Sequence, residues 1–283
     1  MLELLATGSG IAFQDGGREG WRRYGVSPGG AMDRHAMRCA NRLLGNSDDE
    51  PVLEIYRQGA RIRVLEDTWL AIGGADFCSE LPAWTARPMQ AGALLEFSKR
   101  EAGVFAYLAL PGGFRSERWF GSVATDQRNG MGERLQSGTR LLGGSGRVAP
   151  AANRVVARQF DPQFARCYEH VPRMTLLPGP QFECFSEEAR ECLVTADWLV
   201  SASSDRSGYR LEGPSLEVPE SIPSEPVLPG SFQVPGSGQP IVTMVDGPTV
   251  GGYAKIAILA ETDQDRLAQC APGTQLSFQW AVS

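Results

Sequence analysis

Asp246-Gly247-Pro248-Thr249-Val250-Gly251-Gly252-Tyr253-Ala254-Lys255 is the stretch whose reading decides the fold. It joins two short apolar runs, 241–245 before it and Ala254–Leu259 after it, both rich in the β-branched residues that suit strands. Asp246 closes the first run and Lys255 opens the second, so a loop that folds back can bring acid and amine together. An acid and an amine beside one substrate atom can move protons or polarise a carbonyl or ureido group. The plainer alternative is a hairpin with an exposed lysine and a turn aspartate. Thr249 and Tyr253, set between the two charges with Gly251 and Gly252, favour the site.

Two more polar segments precede this loop. Ser203-Ser204-Asp205-Arg206-Ser207-Gly208-Tyr209-Arg210 puts two guanidinium groups beside an acid and a phenol. Arg206 and Arg210 can fork onto a carboxylate or phosphate; the alternative is a structural ion pair in which Asp205 orients Arg206. Gln233-Val234-Pro235-Gly236-Ser237-Gly238-Gln239-Pro240 adds two amides on a glycine-rich turn. Rigid strands presenting polar loops are the usual construction of a binding site.

The rest of the chain reads as mainly β with a few short helices. Its 33 glycines and 19 prolines punctuate short apolar runs. Strands are expected over 61–65, 68–72, 93–97, 104–110, 175–177, 241–245, 254–259 and 275–279. One helix is expected to start after Asp33, a good N-cap, and to end at Leu44 before Gly45. A second is expected over 186–193. A third is expected from Thr262, whose spacing to Asp265 has the form of a capping box. The Gly/Pro-rich run that begins at Gly143 reads as an interdomain connection. The expected layout is an N-terminal β-rich domain over 1–150, a connection over 151–170 and a second β domain over 171–283. The proline-rich 217–229 reads as a stiff loop inside the second domain.

Composition excludes several functions. The net charge of -6, with no basic run, argues against nucleic acid and anionic membrane surfaces as partners. No apolar stretch nears the ~20 residues of a membrane span. The N-terminus lacks the positive n-region of a signal peptide, so a cytoplasmic protein with reduced thiols is expected. The six cysteines form no Cys-x-x-Cys pair, and the two histidines, His35 and His170, lie far apart. No metal site is expected from them. No Gly-x-x-x-x-Gly-Lys-[Ser/Thr] run occurs, so any nucleotide is held by another device.

One N-terminal segment carries a possible ligand loop, Ser27-Pro28-Gly29-Gly30-Ala31-Met32-Asp33. Glycines before a helix start can turn backbone N–H groups toward an anion or a carbonyl. The alternative, which residue types favour, is a tight strand-to-helix turn in which Asp33 merely caps.

Taken in order, these segments resemble the biotin-dependent carboxyltransferase/allophanate hydrolase subunit 2 family, in particular its KipA-like branch, the C subunits of prokaryotic 5-oxoprolinases. The resemblance runs through Gln14-Asp15 and Arg18, the Gly25-to-Asp33 stretch, Ala40-Asn41 and Gly45-Asn46. It continues through Gly73-Gly74-Ala75-Asp76, Gly112-Gly113, Thr125-Asp126, Pro178-Gly179-Pro180-Gln181 and the three C-terminal segments. Departures fall at Gly16, Gly236-Ser237, Val250 and Ala254, beside the polar positions rather than on them.

The resemblance implies a cyclophilin-like β-barrel in a two-domain chain and a cleft shared with a partner of related fold. It implies a subunit of an ATP-dependent 5-oxoprolinase that opens 5-oxo-L-proline to L-glutamate. The implied partners are a subunit-B-like (KipI-like) chain and a subunit-A-like (LamB/YcsF-like) chain, with no activity expected from this chain alone. ATP would act in the complex, without a P-loop here. The alternative is a carboxyltransferase subunit moving CO2 from carboxybiotin to urea or a related amide, with biotin on a partner; a further one is a non-catalytic binding partner of a KipI-like protein. Under the first reading Asp246 and Lys255 polarise or protonate the lactam amide. Asn41, Asp205, Arg206, Tyr209, Arg210, Gln233, Gln239, Thr249, Gly251, Gly252 and Tyr253 bind substrate, with Ser27, Gly29, Gly30 and Asp33 on a loop near the cleft.

Overall fold

The structure, a computed structural model, describes residues 1–98, 102–144, 157–161, 165–171, 173–220 and 222–281. It is mainly β, with three α-helices among the described residues. Internal contacts divide the chain into two units. One comprises Met1–Arg18 and Gly29–Glu169; the other comprises Glu19–Pro28 and His170–Ser283. The contiguous division expected from sequence is therefore modified, since ten N-terminal residues belong with the C-terminal unit. Of the expected connection, 151–156 and 162–164 lie outside the described residues. Its described part belongs to the first unit, where Arg158–Gln159 pairs as a strand with Thr85 and Ala86.

The first unit contains strands β1 (Leu2–Thr7), β2 (Ile11–Gln14), β3 (Val52–Tyr56), β4 (Ala60–Val64) and β5 (Thr68–Gly74). It continues with β6 (Thr85–Met89), β7 (Leu94–Glu96), β8 (Phe105–Ala109), β9 (Arg140–Leu141) and β10 (Arg158–Gln159). They form a four-stranded sheet, β7-β4-β1-β9, and a six-stranded sheet, β10-β6-β5-β8-β3-β2. β4 shows why: Ala60, Ile62 and Val64 are buried while Arg61 and Arg63 are exposed, the period of two that a half-buried strand needs. The exposed arginines pair across the sheet with Glu96 and Glu3. Leu4, Ile62 and Leu95 from one sheet and Leu53, Ile72 and Leu108 from the other share one core.

Helix α1 (Arg34–Leu44) lies against the larger sheet. Asp33 Oδ1 accepts the Ala36 amide at 2.9 Å, and Gly45 closes the helix at φ 74°, both as the sequence leads one to expect. Gly73 sets how closely helix and sheet approach. A Cβ there would stand 2.2 Å from the Ala36 carbonyl oxygen, so only glycine fits.

The second unit contains β11 (Met174–Pro178), β12 (Trp198–Val200), β13 (Gly208–Glu212), β14 (Glu225–Pro226) and β15 (Ser231–Val234). It continues with β16 (Ile241–Thr243), β17 (Val250–Gly251), β18 (Ala254–Leu259), β19 (Gln275–Leu276) and β20 (Phe278–Trp280), and carries α2 (Glu187–Thr195) and α3 (Glu261–Ala268). Eight of these strands form one sheet in the order β19-β12-β13-β16-β15-β18-β11-β20. Its two edge strands, β19 and β20, are separated in the chain by Ser277 alone. The sheet therefore curls until its ends meet, a nearly closed barrel. The single strand expected over 275–279 is in fact these two, broken at Ser277 because each half pairs with an opposite edge. Trp198, Phe232 and Phe278 fill the interior, the two phenyl rings edge to face at 5.2 Å.

Ser186 caps α2 through the Ala189 amide. The capping box expected at Thr262 does not form. Helix α3 starts at Glu261, the Ala260 carbonyl takes the amides of Asp263 and Gln264, and no side chain caps it. Asp263 is used instead to accept the Thr175 amide of β11 at 2.8 Å.

Candidate active site

All three C-terminal polar segments belong to the barrel unit. β16 leads into the Asp246 loop and β18 leaves it; β15, which carries Gln233, lies between them in the sheet. Gln233 pairs in register with Lys255, and its Oε1 accepts the Thr243 hydroxyl at 3.2 Å. Gly251 stands against the Gln233 amide, where a Cβ would come within 2.8 Å of Nε2.

The loop brings Asp246 and Lys255 each to a counter-charge, and these are not each other. Asp246 takes a fork from Arg206, with Nε at 2.6 Å from Oδ2 and Nη2 at 3.1 Å from Oδ1. The Asp246 amide also donates to the Arg206 carbonyl, which fastens the two segments together. Asp246 is 8% exposed and Arg206 23%. Lys255, at 2% exposure, puts its ammonium 2.5 Å from Glu225 Oε1.

Glu225 lies on β14, a two-residue strand in the proline-rich loop, paired with Gly251 on β17. Gln181 completes this end of the site. Its Nε2 donates to the same Glu225 oxygen at 2.7 Å, and its Oε1 accepts the Lys255 amide at 3.0 Å. Hydrogen bonds from Lys255 first, and Gln181 second, hold the Glu225 carboxyl below its ordinary range. Sequence reasoning named neither Glu225 nor Gln181 as a site residue. Glu225 is 30 residues from its partner in a loop with no local signature. The available hint was scarcity: Lys99 and Lys255 are the only lysines among 27 Lys and Arg residues.

Other sequence candidates are held by the scaffold. Asp205 does not orient Arg206; its Oδ1 accepts the amides of Ser207 and Gly208, an aspartate-capped turn. Tyr209 is buried, with its hydroxyl donating to the Ala268 carbonyl. Gln239 clamps the Gly213 backbone through both ends of its amide. Arg210 and Tyr253 are exposed, and Thr249 is buried with its carbonyl accepting the Val227 amide. Gly252 faces Ile222 and Ser224, so what Gly251 and Gly252 admit here is the chain's own backbone and Gln233.

The N-terminal loop is divided between the units. Ser27 belongs to the barrel unit, where its buried hydroxyl donates to the Gly247 carbonyl at 3.0 Å, beside Asp246. Gly29, Gly30 and Asp33 belong to the other unit. There Gly30, at φ 88°, packs against the Asp15 carbonyl and Asp33 caps α1 while accepting the Tyr168 hydroxyl. Asn41 is also there, bonded to the carbonyls of Asp48 and Glu50 and to Asn46. The tight-turn alternative thus describes Gly30 and Asp33. The site that remains is a buried lysine with a carboxylate and an amide beside it, and a guanidinium–carboxylate fork on the same barrel. Such groups can polarise a carbonyl, hold an anion, or carry a proton to a leaving nitrogen.

Among known proteins, the model of the family described as carboxyltransferase domain, subdomain A and B, matches residues 24–280. The C subunit of the Escherichia coli 5-oxoprolinase is 36% identical over 98% of this chain and 90% of its own length. The protein of the same name from Haemophilus influenzae is 32% identical over the whole chain and 92% of its own length. The urea amidolyase of Saccharomyces cerevisiae is 27% identical over 98% of this chain, which corresponds to 16% of that protein. Among solved structures, TTHA0988 superposes with a TM-score of 0.88 at 32% identity, and this chain spans 55% of that one. By its match to the family over residues 24–280 and its kinship with both relatives above 30% identity, the chain belongs to the carboxyltransferase domain family, subdomains A and B.

Proposed function

We propose that this chain is the C subunit of an ATP-dependent 5-oxoprolinase, opening 5-oxo-L-proline to L-glutamate together with subunit-B-like (KipI-like) and subunit-A-like (LamB/YcsF-like) chains. The observation that carries this reading is the end-to-end likeness to two bacterial 5-oxoprolinase C subunits. The site chemistry agrees with it. A lactam needs its carbonyl polarised and its departing nitrogen protonated, and the Lys255 ammonium can do either once a substrate draws it from Glu225. Ring opening breaks the lactam C–N bond as the oxygen of a water molecule bonds to the same carbon; the proton that Lys255 delivers ends on the departing nitrogen, and a proton of that water replaces it on Lys255.

Asp246 and Arg206 take a different part from the one expected. Each already engages the other, so the fork works as a rigid pair that shapes the loop. Gln233 and Tyr253 are retained as groups that orient the amide, and Arg210 as the exposed guanidinium that can meet a carboxylate. ATP does not fit these residues as they stand. The buried Lys255 and the half-buried Arg206 are both engaged by carboxylates, and no P-loop sequence is present. ATP is accordingly assigned to the complex, with no step through it on this chain.

The test is reconstitution of the three subunits. Wild type is expected to hydrolyse ATP in a 5-oxoproline-dependent manner, with this chain alone inactive, and Lys255→Ala is expected to lose at least about tenfold in kcat. No 5-oxoproline-dependent turnover in the reconstituted mixture refutes the reading. The likeness to urea amidolyase across 98% of the chain favours carboxyl transfer as the second reading. A biotinylated protein copurifying with the chain, detected with streptavidin, would decide for it.

A further inference from the structure

Among the described residues, arginine makes surface ion pairs such as Arg42–Asp48, Arg61–Glu96 and Arg63–Glu3. At position 255 the chain buries a lysine instead, one of only two it has. Arginine stays protonated at any working pH, whereas a lysine can give up its proton and take it back. A buried ammonium is costly unless it is paired and hydrogen-bonded, so what surrounds Lys255 governs its charge and its aim.

That surrounding is a closed ring of contacts. Glu225 receives Lys255 Nζ at 2.5 Å; Gln181 donates to the same oxygen at 2.7 Å and takes the Lys255 amide at 3.0 Å. Gln181 is itself fixed to this strand, since its amide donates to the Lys255 carbonyl. Gly179 lies so close to that carbonyl that a Cβ would be 2.2 Å away. Glu225 is carried by residues 222–226, which lie along Gly251 and Gly252, and its side chain is 36% exposed while Lys255 is sealed. The residue opposite Lys255 on β15, Gln233, is neutral. Glu225 is therefore the charge that faces the amine.

We propose that Glu225, braced by Gln181, is the positioning residue of Lys255: it holds the amine as an aimed ammonium beneath residues 222–226 and yields it to an incoming amide. This assignment rests on Lys255 being the working amine of the preceding section, but its test reads the amine directly. Removing the negative charge leaves the buried ammonium without the partner that holds it in place.

The experiment compares wild type with Glu225→Gln, Glu225→Asp and Gln181→Met in the reconstituted complex. In each, acetylation of Lys255 by acetic anhydride is followed at a fixed pH by mass spectrometry, with Lys99 and the N-terminal amine as internal references. Glu225→Gln is expected to label Lys255 about tenfold faster than wild type relative to these references, because the amine is released from the pair that holds it. Gln181→Met is expected to speed the labelling less, and Glu225→Asp to restore the slow rate in part. In turnover, Glu225→Gln is expected to lower kcat with KM little changed and to shift the alkaline limb of the pH profile to lower pH.

An unchanged Lys255 labelling rate in both Glu225→Gln and Gln181→Met overturns the proposal. So does a loss of thermal stability with the pH limb in place, which marks a purely structural pair. If wild type does not turn over 5-oxoproline while the labelling rate still changes, the 5-oxoprolinase reading fails and the positioning role stands. If Glu225→Gln does not fold, Gln181→Met, which keeps the charge pair, carries the decision alone.

Discussion

Replacing Arg206 by Met removes the fork on Asp246 and leaves a carboxylate that is 8% exposed without its counter-charge. Two charge-assisted hydrogen bonds, at 2.6 and 3.1 Å, are lost together. Breaking a buried pair from one side typically costs about 3–5 kcal/mol. Arg206 is itself 23% exposed, so water can reach part of the vacated fork, and the low end, about 3 kcal/mol, is expected. Asp246→Ala should cost less, about 1–2 kcal/mol, because the freed guanidinium can turn toward solvent. The double variant should cost little more than Arg206→Met alone, giving a coupling of about 1–2 kcal/mol between the two sites. The assay is urea denaturation of all four proteins, followed by tryptophan fluorescence, to which the fully buried Trp198 of the barrel unit contributes. If the two single effects add within about 0.5 kcal/mol, the pair is not coupled and the reasoning is wrong.

Three other outcomes are expected. The depressed carboxyl of Glu225 contributes stability that is present above its ordinary value of 4.5 and lost as pH falls through the lower folded value. The stability difference between wild type and Glu225→Gln should therefore shrink in acid below pH 4.5, and a difference that grows there contradicts the pairing. Burial pushes the thiols of Cys39, Cys78 and Cys270 up to about 12, while Cys167 and Cys184 are exposed. A maleimide at neutral pH should label the latter two first and the former three only after denaturation, which mass spectrometry reads directly. Gly73→Ala should destabilise the first unit by about 2 kcal/mol or more, since the clash is with α1 backbone and no side chain can move aside. A melting temperature unchanged by this substitution would refute the close approach of helix to sheet.

Much of this protein is written in short stretches of chain. The caps of α1 are local chemistry: Asp33 meets an amide three residues on, and Gly45 takes a left-handed turn that other residues resist. Strands such as β4 and β18 show in their apolar pattern, and the polar loop between β16 and β18 shows in its composition. What the sequence could not decide is which charge meets which. Adjacent Asp205 and Arg206 look like a pair, yet the turn needs the aspartate for its own amides and the arginine reaches Asp246, 40 residues away. Asp246 and Lys255 look like a pair, yet β15 lies between their strands and 222–226 brings Glu225 to the lysine. Tyr209, Gln239 and Asn41 carry side chains fit for a ligand but are engaged with backbone groups of the scaffold. Caps and turns are settled within a few residues, whereas ion pairs across strands depend on how the sheet curls, and only the nearly closed barrel set Glu225 and Gln181 around Lys255.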